Sequence, residues 1–293
     1  MNQPVVLDGA TGTELERRGV DIGLPLWSAR AILDAPQVLQ DVHAAYLDAG
    51  ARVVTANTFR THQRSLAKAG MGSRWVELTR RAVDIACAAR DSHAPSARIF
   101  GSVAPLEDCY RPDLAPAAGV CREAHEAMIR VLVDAGVDGV LIETMCAGRE
   151  AEAAAEAARD VAPAAWAISF CFQSGSQPGV LLDGTDVQRL MPVLEQAQIV
   201  GVNCVAAPEV VEHVGRLRGL VRPEQVVAAY ANIGYATPEG AWVTTDAVDP
   251  DRYAAYAAEW VSAGASMIGG CCGTTPETIR AIASMLGEPG GSL

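Results

Sequence analysis

The sequence lacks an excess of basic side chains. Its 293 residues include 23 Lys and Arg against 35 Asp and Glu, a formal net charge of -12 at pH 7. Because nucleic-acid-binding proteins normally present a basic face, this charge argues against a nucleic-acid partner. An acidic chain favours solubility and a cationic ligand. The expected partners are therefore small molecules, and no feature of the sequence specifies an oligomeric state.

Long apolar runs are also missing. No apolar stretch reaches the roughly 18 residues that a membrane-spanning helix needs, so no membrane span is expected. Residues 1–6 lack the charged start and apolar segment of a secretory signal. With eight cysteines and no such signal, we expect a cytoplasmic protein whose thiols stay free to bind metal.

Histidine ligands for a metal are not evident either. The five histidines have no metal-ligand spacing: His43 and His125 fall in expected helices, and His93 and His213 are expected at the surface. Only His62, in a loop after the second apolar run, is placed near a functional site. A solvated or structural histidine is the expectation for each of them.

Two adjacent cysteines are the most informative residues present. Cys271 and Cys272 lie between glycines after an apolar run, and Cys204 ends the similar run Ile199-Val-Gly-Val-Asn-Cys204. A single cysteine is normally a small core residue, but successive strand residues face opposite sides, so packing gives no reason for an adjacent pair. A strained vicinal disulfide is one interpretation. Three thiolates holding Zn²⁺, with the fourth position left for a substrate, is the other.

The remaining cysteines are scattered without ligand spacing and are expected to be packing residues; they are Cys87, Cys109, Cys121, Cys146 and Cys171. Cys109 and Cys146 are placed where they could approach the same site.

One rhythm of apolar runs and alanine-rich helical segments repeats eight times. The predicted strands are Val5–Leu7, Arg52–Ala56, Ile99–Val103, Gly139–Ile142, Ala167–Phe172, Ile199–Val202, Val226–Tyr230 and Ser266–Ile268. The predicted helices are Pro36–Ala49, Arg74–Arg90, Ala118–Ala135, Ala147–Val161, Thr185–Gln196, Pro208–Leu217, Pro250–Ala263 and Pro276–Leu286. Continuous apolar strands alternating with amphipathic helices indicate a parallel sheet. Eight units predict an α/β fold with a single (β/α)8 TIM-type barrel over residues 1–286, followed by a flexible tail, 287–293.

A barrel brings the carboxyl ends of its strands to one mouth, where barrel enzymes carry out their chemistry. This rule nominates polar residues that end the predicted strands: Asp8, Asn57, Glu143, Asn203, Tyr230 and Asn232. It also lets Cys204 meet Cys271 and Cys272 around one ion.

Several motifs resemble those of the homocysteine S-methyltransferase family. They are Asp8-Gly-Ala-Thr-Gly-Thr-Glu-Leu15, Ala56-Asn-Thr-Phe59, Ile142-Glu-Thr144, Gly201-Val-Asn-Cys204 and Gly269-Gly-Cys-Cys-Gly273. The similarity runs from about Val5 to Met285. It implies an enzyme of methionine biosynthesis, a zinc barrel that methylates homocysteine, with Cys204, Cys271, Cys272 and Glu143 as its catalytic residues.

Roles for the acceptor's binding residues follow from the resemblance. Glu143 is expected to bind the amino group of homocysteine; the alternative is a salt bridge to Arg60 or Arg149 at the mouth. The loop after the first strand is expected to hold the substrate carboxylate through backbone N–H groups and hydroxyls, and the alternative is a tight turn that needs glycine. Its residues are Asp8, Gly9, Ala10, Thr11 and Thr13.

The methyl donor is expected to be cationic. The resemblance places Trp27 near it, where an indole face attracts an onium ion; the alternative is a hydrophobic clamp. Asn57 and Phe59 are expected in the site wall, Asn203 beside the cysteine and Asn232 at the mouth, with loop fastening as the alternative for each. Betaine users carry aromatic residues where this chain has Thr144 and Arg60, which favours S-methylmethionine or S-adenosylmethionine over betaine or another onium compound.

Two other classes of function remain open from the residues alone. A hydrolytic zinc barrel would need a general base near the ion, and thiolate-rich zinc is a weak Lewis acid. A non-catalytic thiol-based redox sensor or metal-binding barrel would use Cys271 and Cys272.

Overall fold

The computed structural model describes residues 3–161, 165–175, 177–237 and 241–287. The predicted tail, 287–293, lies outside the described residues except for Gly287, which ends the last helix in a left-handed conformation with φ 74°. Among the described residues, no helix combines the length and apolarity that a membrane crossing requires.

The predicted (β/α)8 barrel is confirmed. Its eight parallel strands are β1 (Val5–Val6), β2 (Val53–Ala56), β3 (Arg98–Val103), β4 (Gly139–Met145), β5 (Trp166–Phe170), β6 (Ile199–Ala206), β7 (Val226–Asn232) and β10 (Met267–Gly270). They pair in the order β1-β10-β7-β6-β5-β4-β3-β2. A parallel bridge between Leu7 and Val53 joins the two outermost strands, with Asp8 N donating to Val53 O over 3.0 Å. This bridge closes the ring.

The strands are apolar throughout because both of their faces are buried. Alternate residues point inward and form one layer inside the barrel: Val5, Leu7, Val53, Phe100, Leu141, Ala167, Ile199, Ala228, Tyr230 and Met267. The residues between them, such as Val6 and Val54, pack outward against the helices in a separate and larger core. This two-residue alternation is the geometry of a strand. Cys271 packs on the inner layer and so lies at its upper end.

The helices form the outer ring. They are α1 (Thr11–Arg17), α2 (Arg30–Asp34), α3 (Pro36–Asp48), α4 (Gln63–Ala67), α5 (Trp75–His93), α6 (Ala118–Asp134), α7 (Gly148–Val161), α8 (Met191–Leu194), α9 (Val210–Leu220), α10 (Pro250–Ser262) and α11 (Pro276–Leu286). Gly50, Gly136 and Gly264 follow three of them with φ of 112°, 83° and 110°. Glycine adopts this left-handed conformation readily, and it returns the chain to the next strand.

The structure corrects the helix predicted over 185–196. The segment forms a 3-10 turn over Val187–Leu190 and then the short helix α8, which has a proline in its first turn. Because Pro192 has no backbone N–H, a continuous α-helix would lose the bond to residue 188. The sequence pattern also missed α2, α4 and a hairpin of β8 (Gly234–Ala236) and β9 (Trp242–Thr244).

His213 is a second correction, because it is buried rather than exposed. It lies on the inner face of α9, where its ring stacks on Phe172 with centroids 4.7 Å apart. Its Nδ1 accepts a hydrogen bond from Gly179 N over 3.2 Å. A helix face that covers a barrel buries whatever residue lies on it, and here a ring nitrogen is satisfied by backbone.

Candidate metal and substrate site

The structure brings the three predicted thiols together at the carboxyl end of the barrel. Cys204 extends from β6, and Cys271 with Cys272 follows β10. Their sulfur atoms all lie within 4.8 Å of one another, and those of Cys204 and Cys271 are 2.9 Å apart. Strand β7 runs between β6 and β10, and Asn232 at its end accepts a hydrogen bond from Cys272 N over 3.0 Å. Asn232 therefore positions the cysteine pair.

Backbone distortion turns Cys204 toward the mouth. Cys204 and Thr144 both adopt left-handed conformations, with φ of 56° and 60°. The strand register shifts beside each of them. Such conformations are uncommon outside glycine, cost about 1–3 kcal/mol each and cluster at functional sites.

The amide of Asn203 holds these two distorted segments together. Its Oδ1 accepts from Thr144 N over 2.9 Å, and its Nδ2 donates to Thr144 Oγ1 over 2.7 Å. Ser169 Oγ donates to the same Oδ1 over 2.7 Å. The hydroxyl of Thr144 in turn lies 3.9 Å from the Cys204 sulfur. Asn203 is therefore a positioning residue that holds Thr144 beside Cys204.

The donor set fits a metal ion that prefers sulfur. In a tetrahedral zinc site with bonds of about 2.3 Å, neighbouring sulfurs are roughly 3.8 Å apart. The three sulfurs lie within 4.8 Å of one another, so small shifts would reach this spacing, and Cys204 and Cys271 would have to separate by about 1 Å. Hydrogen bonds from Cys204 and Cys271 hold the pKa of Cys272 well below its ordinary value, while the shared bond with Cys204 raises the pKa of Cys271. Without a metal ion, negative charge is thus favoured at Cys272 alone, since the pKa of Cys204 is raised like that of Cys271.

The other cysteines near the site are packing residues on its rim. Cys146 and Cys171 lie in one buried cluster with Cys204, and the Cys171 thiol donates to Cys204 O over 3.7 Å. Cys109 lines the same cavity as the three grouped cysteines. Burial raises the pKa of Cys171 and of Cys109 well above that of a free thiol. Neither belongs to the group of three sulfurs that lie close enough to share one ion.

Glu143 ends the apolar strand β4 as a carboxyl without a charged partner. Its only hydrogen bond among the described residues comes from the Ser102 hydroxyl. The alternative of a salt bridge is not found there, because Arg149 donates to the carbonyls of Ala115 and Pro116. Burial raises the pKa of Glu143 to about 7. A buried carboxyl of this kind is suited to binding an incoming ammonium.

Asp8 is the second buried carboxyl of the site. It follows β1 and accepts two hydrogen bonds from Thr55, from N over 2.8 Å and from Oγ1 over 3.1 Å. Burial outweighs these bonds and raises the pKa of Asp8 to about 8. Since Thr55 uses both carboxyl oxygens, Asp8 is held rigidly at the cavity wall.

The loop that follows Asp8 is fastened to the loop that carries the cysteine pair. Ala10 N donates to Thr274 Oγ1 over 3.1 Å, and Gly273 N donates to Thr13 Oγ1 over 3.0 Å. Gly9 must be glycine, since a Cβ there would lie 2.7 Å from the Tyr46 ring. The loop is thus a tight turn that needs glycine. It also lines the cavity, as a loop that holds the substrate carboxylate would have to.

A cavity of about 700 Å³ opens above the thiols and these carboxyls. Trp27 and Phe59 lie in its wall with their rings edge to face, centroids 5.5 Å apart. Gly12 packs beneath the indole so closely that a Cβ would lie 2.3 Å from a ring carbon. Asn57 also lines the cavity, and its Nδ2 donates to Ser28 O over 2.8 Å. Asn203 and Asn232 are buried behind the lining residues that the structure describes.

Several cavity residues were missed by the sequence analysis. They are Thr55, Ser102, Tyr110 and Trp242. Thr55 and Ser102 lie within predicted strands, and one polar residue in an apolar strand is a signal that could have found them. Tyr110 lies in a turn and Trp242 begins the three-residue strand β9, and both segments are too short for periodicity to reveal them.

The buried carboxyls make stability depend on pH. Because the folded-state pKa of Glu143 is raised from 4.5 to about 7, the folded protein holds a proton that the unfolded chain releases, so this residue costs stability as pH rises through that window. We expect Glu143→Gln to be more stable than the wild type by about 3 kcal/mol at pH 8.5 and by little at pH 4. Urea unfolding at both pH values measures this, and a difference that does not change with pH contradicts it.

A ring of parallel strands with thiols, carboxyls and an open cavity at its carboxyl mouth defines a barrel enzyme. The family model described as homocysteine S-methyltransferase matches residues 5–286. The chain therefore belongs to the homocysteine S-methyltransferase family and is an enzyme of that type, as the motifs predicted.

Individual relatives agree with this family. The chain is 31% identical over 324 residues to homocysteine S-methyltransferase 3 of Arabidopsis thaliana, covering 97% of this chain and 90% of the relative. It is 29% identical over 308 residues to selenocysteine Se-methyltransferase of Brassica oleracea var. italica, covering 94% and 87%. The crystal structure of the homocysteine methyltransferase MmuM from Escherichia coli, metallated form, is similar with a TM-score of 0.82 at 29% identity over 96% of each chain.

Proposed function

We propose that this enzyme transfers a methyl group from a sulfonium donor to the thiol of L-homocysteine in a zinc-dependent reaction, giving methionine. The observation that carries the proposal is the convergence of three thiols and the unpaired carboxyl Glu143 on one cavity. Three thiols would bind a metal ion that in turn binds a sulfur substrate, and the carboxyl would bind the ammonium group of an amino acid. We place the reaction in the cytoplasm, where cysteines stay reduced.

The metal proposed for Cys204, Cys271 and Cys272 is Zn²⁺. When bound there, it would supply a Lewis acid that keeps the homocysteine sulfur deprotonated at neutral pH, where a free thiol with a pKa near about 8.5 is mostly protonated. Asn232 and Asn203 hold the cysteine segments in place. Sulfur ligands alone suit zinc better than magnesium or calcium.

The chain's own residues orient the acceptor. Glu143, held by Ser102, receives the ammonium of homocysteine and becomes fully ionised in doing so. Asp8 and the loop through Thr13 form the adjacent wall, where the substrate carboxylate is proposed to lie. The acceptor sulfur then forms a bond to the methyl carbon as the bond from that carbon to the donor sulfur breaks. The thiol proton leaves to solvent beforehand.

The donor is proposed to be S-methylmethionine or S-adenosylmethionine. The cavity wall carries the acidic residues Glu16 and Asp108 and the aromatic pair Trp27 and Phe59, which together favour a cation. Trp27 adopts a left-handed conformation, φ 48°, that presents it to the cavity. An alternative donor is betaine or another onium compound.

A redox-sensing barrel is the competing function, favoured by the 2.9 Å approach of the Cys204 and Cys271 sulfurs. It gives no role to Glu143 or to the cavity. Hydrolysis is less well supported, because no histidine lies among the cavity-lining residues that the structure describes, and thiolates weaken the Lewis acidity of zinc.

A donor panel tests the proposed function. Zinc-loaded enzyme is incubated with homocysteine and, separately, S-methylmethionine, S-adenosylmethionine, betaine and dimethylsulfoniopropionate, and methionine is measured by mass spectrometry. We expect a sulfonium amino acid to exceed betaine by at least about 10-fold in kcat/KM, because the wall lacks the aromatic residues of betaine users. If the enzyme has its full zinc content and none of the four donors yields methionine, the proposal is contradicted.

A further inference from the structure

Arg60 is a basic residue in a cavity wall that carries several carboxyl groups. Among the cavity-lining residues that the structure describes, it is the single Lys, Arg or His, beside four carboxyls and the three thiols. It follows Phe59 in the loop after β2, and its guanidinium carbon lies 5.5 Å from the centre of the Phe59 ring. The stacking holds the planar guanidinium in one orientation beside the aromatic pair.

The guanidinium of Arg60 has unused hydrogen-bonding capacity. One terminal nitrogen donates to Glu107 O over 3.2 Å, whereas Nε is buried with no hydrogen-bond partner in the described structure. The Glu107 carboxylate is not available, since Arg64 and Lys68 both bind it. Arginine forms its strongest interactions with carboxylates, through two parallel hydrogen bonds. A cation left unpaired at a cavity wall is therefore a place for an anionic group of a ligand.

The position of Arg60 also restricts the donor. A simple onium ion over Phe59 would lie close to the guanidinium and be repelled by it. An onium compound that carries its own carboxylate would present the positive group to the aromatic pair and the negative group to Arg60. The acceptor already has Glu143 for its ammonium and zinc for its sulfur, and these lie on other strands.

We infer that Arg60 is a specificity-determining residue that binds the carboxylate of the methyl donor, so that the enzyme selects zwitterionic sulfonium compounds over onium ions without a carboxylate. This inference rests on the proposed function and specifies its donor class. In this arrangement Phe59 orients the guanidinium, and Trp27 offers its ring to the sulfonium.

Binding of two matched ligands tests the inference. S-methylmethionine and its carboxamide differ at the carboxylate alone, and calorimetry on the zinc-loaded enzyme gives Kd for both. We expect the wild type to bind the acid more tightly by about 10- to 100-fold, the usual value of a hydrogen bond to a charged group. Arg60→Gln is expected to lose this preference and keep its affinity for the amide and for homocysteine. Arg60→Lys is expected to retain part of it.

Arg149→Gln is the matched control, because Arg149 also donates to loop carbonyls, those of Ala115 and Pro116, but does not line the cavity. It is expected to keep the wild-type preference. The inference is overturned if Arg60→Gln weakens the binding of homocysteine instead, or if it weakens the binding of S-methylmethionine and of its carboxamide equally. It is also overturned if the wild type does not bind S-methylmethionine. Methionine formation is measured on the same samples. Its absence with an intact acid preference would refute the proposed reaction and leave the role of Arg60 standing.

Discussion

Cys204→Ala is expected to lose bound zinc and methyl transfer together. Removing one of three thiolates leaves a site that cannot hold the ion tightly, and changes even to residues behind the ligands cost up to about 100-fold in metal affinity. Homocysteine would then remain mostly a neutral thiol and a poor nucleophile. We expect zinc content to fall from one per chain to near zero and kcat/KM to fall by more than about 100-fold. Elemental analysis and methionine assays measure the two effects.

Cys171→Ala is the control for this experiment. Cys171 is also buried and contacts the backbone of Cys204, but it is not one of the three grouped cysteines. We expect it to keep one zinc per chain. Full zinc content in Cys204→Ala would show that the metal is held elsewhere. Zinc loss without loss of methyl transfer would separate the metal from the reaction.

Glu143→Gln is expected to keep its zinc but bind homocysteine poorly. Glutamine keeps the shape and can still accept from Ser102, but it has no charge to pair with the ammonium of the substrate. Truncating one partner of a buried charge pair costs about 2–5 kcal/mol, which is roughly 30-fold or more in kcat/KM. The same variant is the one expected to gain stability at high pH, so activity and stability should change in opposite directions.

An acceptor without an amino group separates this effect from a general disturbance. With 4-mercaptobutanoate, the wild type and Glu143→Gln should react at similar rates, because neither can form the ion pair. Ser102→Ala is a second comparison. It should weaken the binding of homocysteine less than Glu143→Gln does. If the variant loses activity equally with both thiols, Glu143 has a role other than ammonium binding.

The fold could be predicted from the sequence because a barrel strand is buried on both faces. Runs such as Ile199–Val202 are apolar at every position, and the helices between them are regular and end in glycines such as Gly136 and Gly264. The helix predicted over 185–196 was wrong. Its apolar residues have helical spacing, but Pro192 interrupts the hydrogen bonds that a continuous helix needs. Short elements such as α4 are fixed by tertiary contacts, since five residues cannot stabilise a helix alone.

The site was partly predictable for the same reason. Strand ends converge in any barrel, so Cys204, Glu143 and Asp8 could be placed near one another. The roles of Asn203 and Asn232 depend on which way two buried amides point, and the unpaired state of Arg60 depends on Arg64 and Lys68 taking Glu107. Neither follows from residue type or spacing.

The three thiols come from strands on either side of β7, and the last of those strands also pairs with β1 to complete the ring. A nascent chain that ends before β10 therefore carries one sulfur ligand and two unpaired sheet edges. Capture of the proposed zinc ion can occur only after the final strand has docked, and it would then favour the docked state by mass action. A fluorescent zinc indicator followed during refolding would thus time the last step of assembly, with no label on the protein.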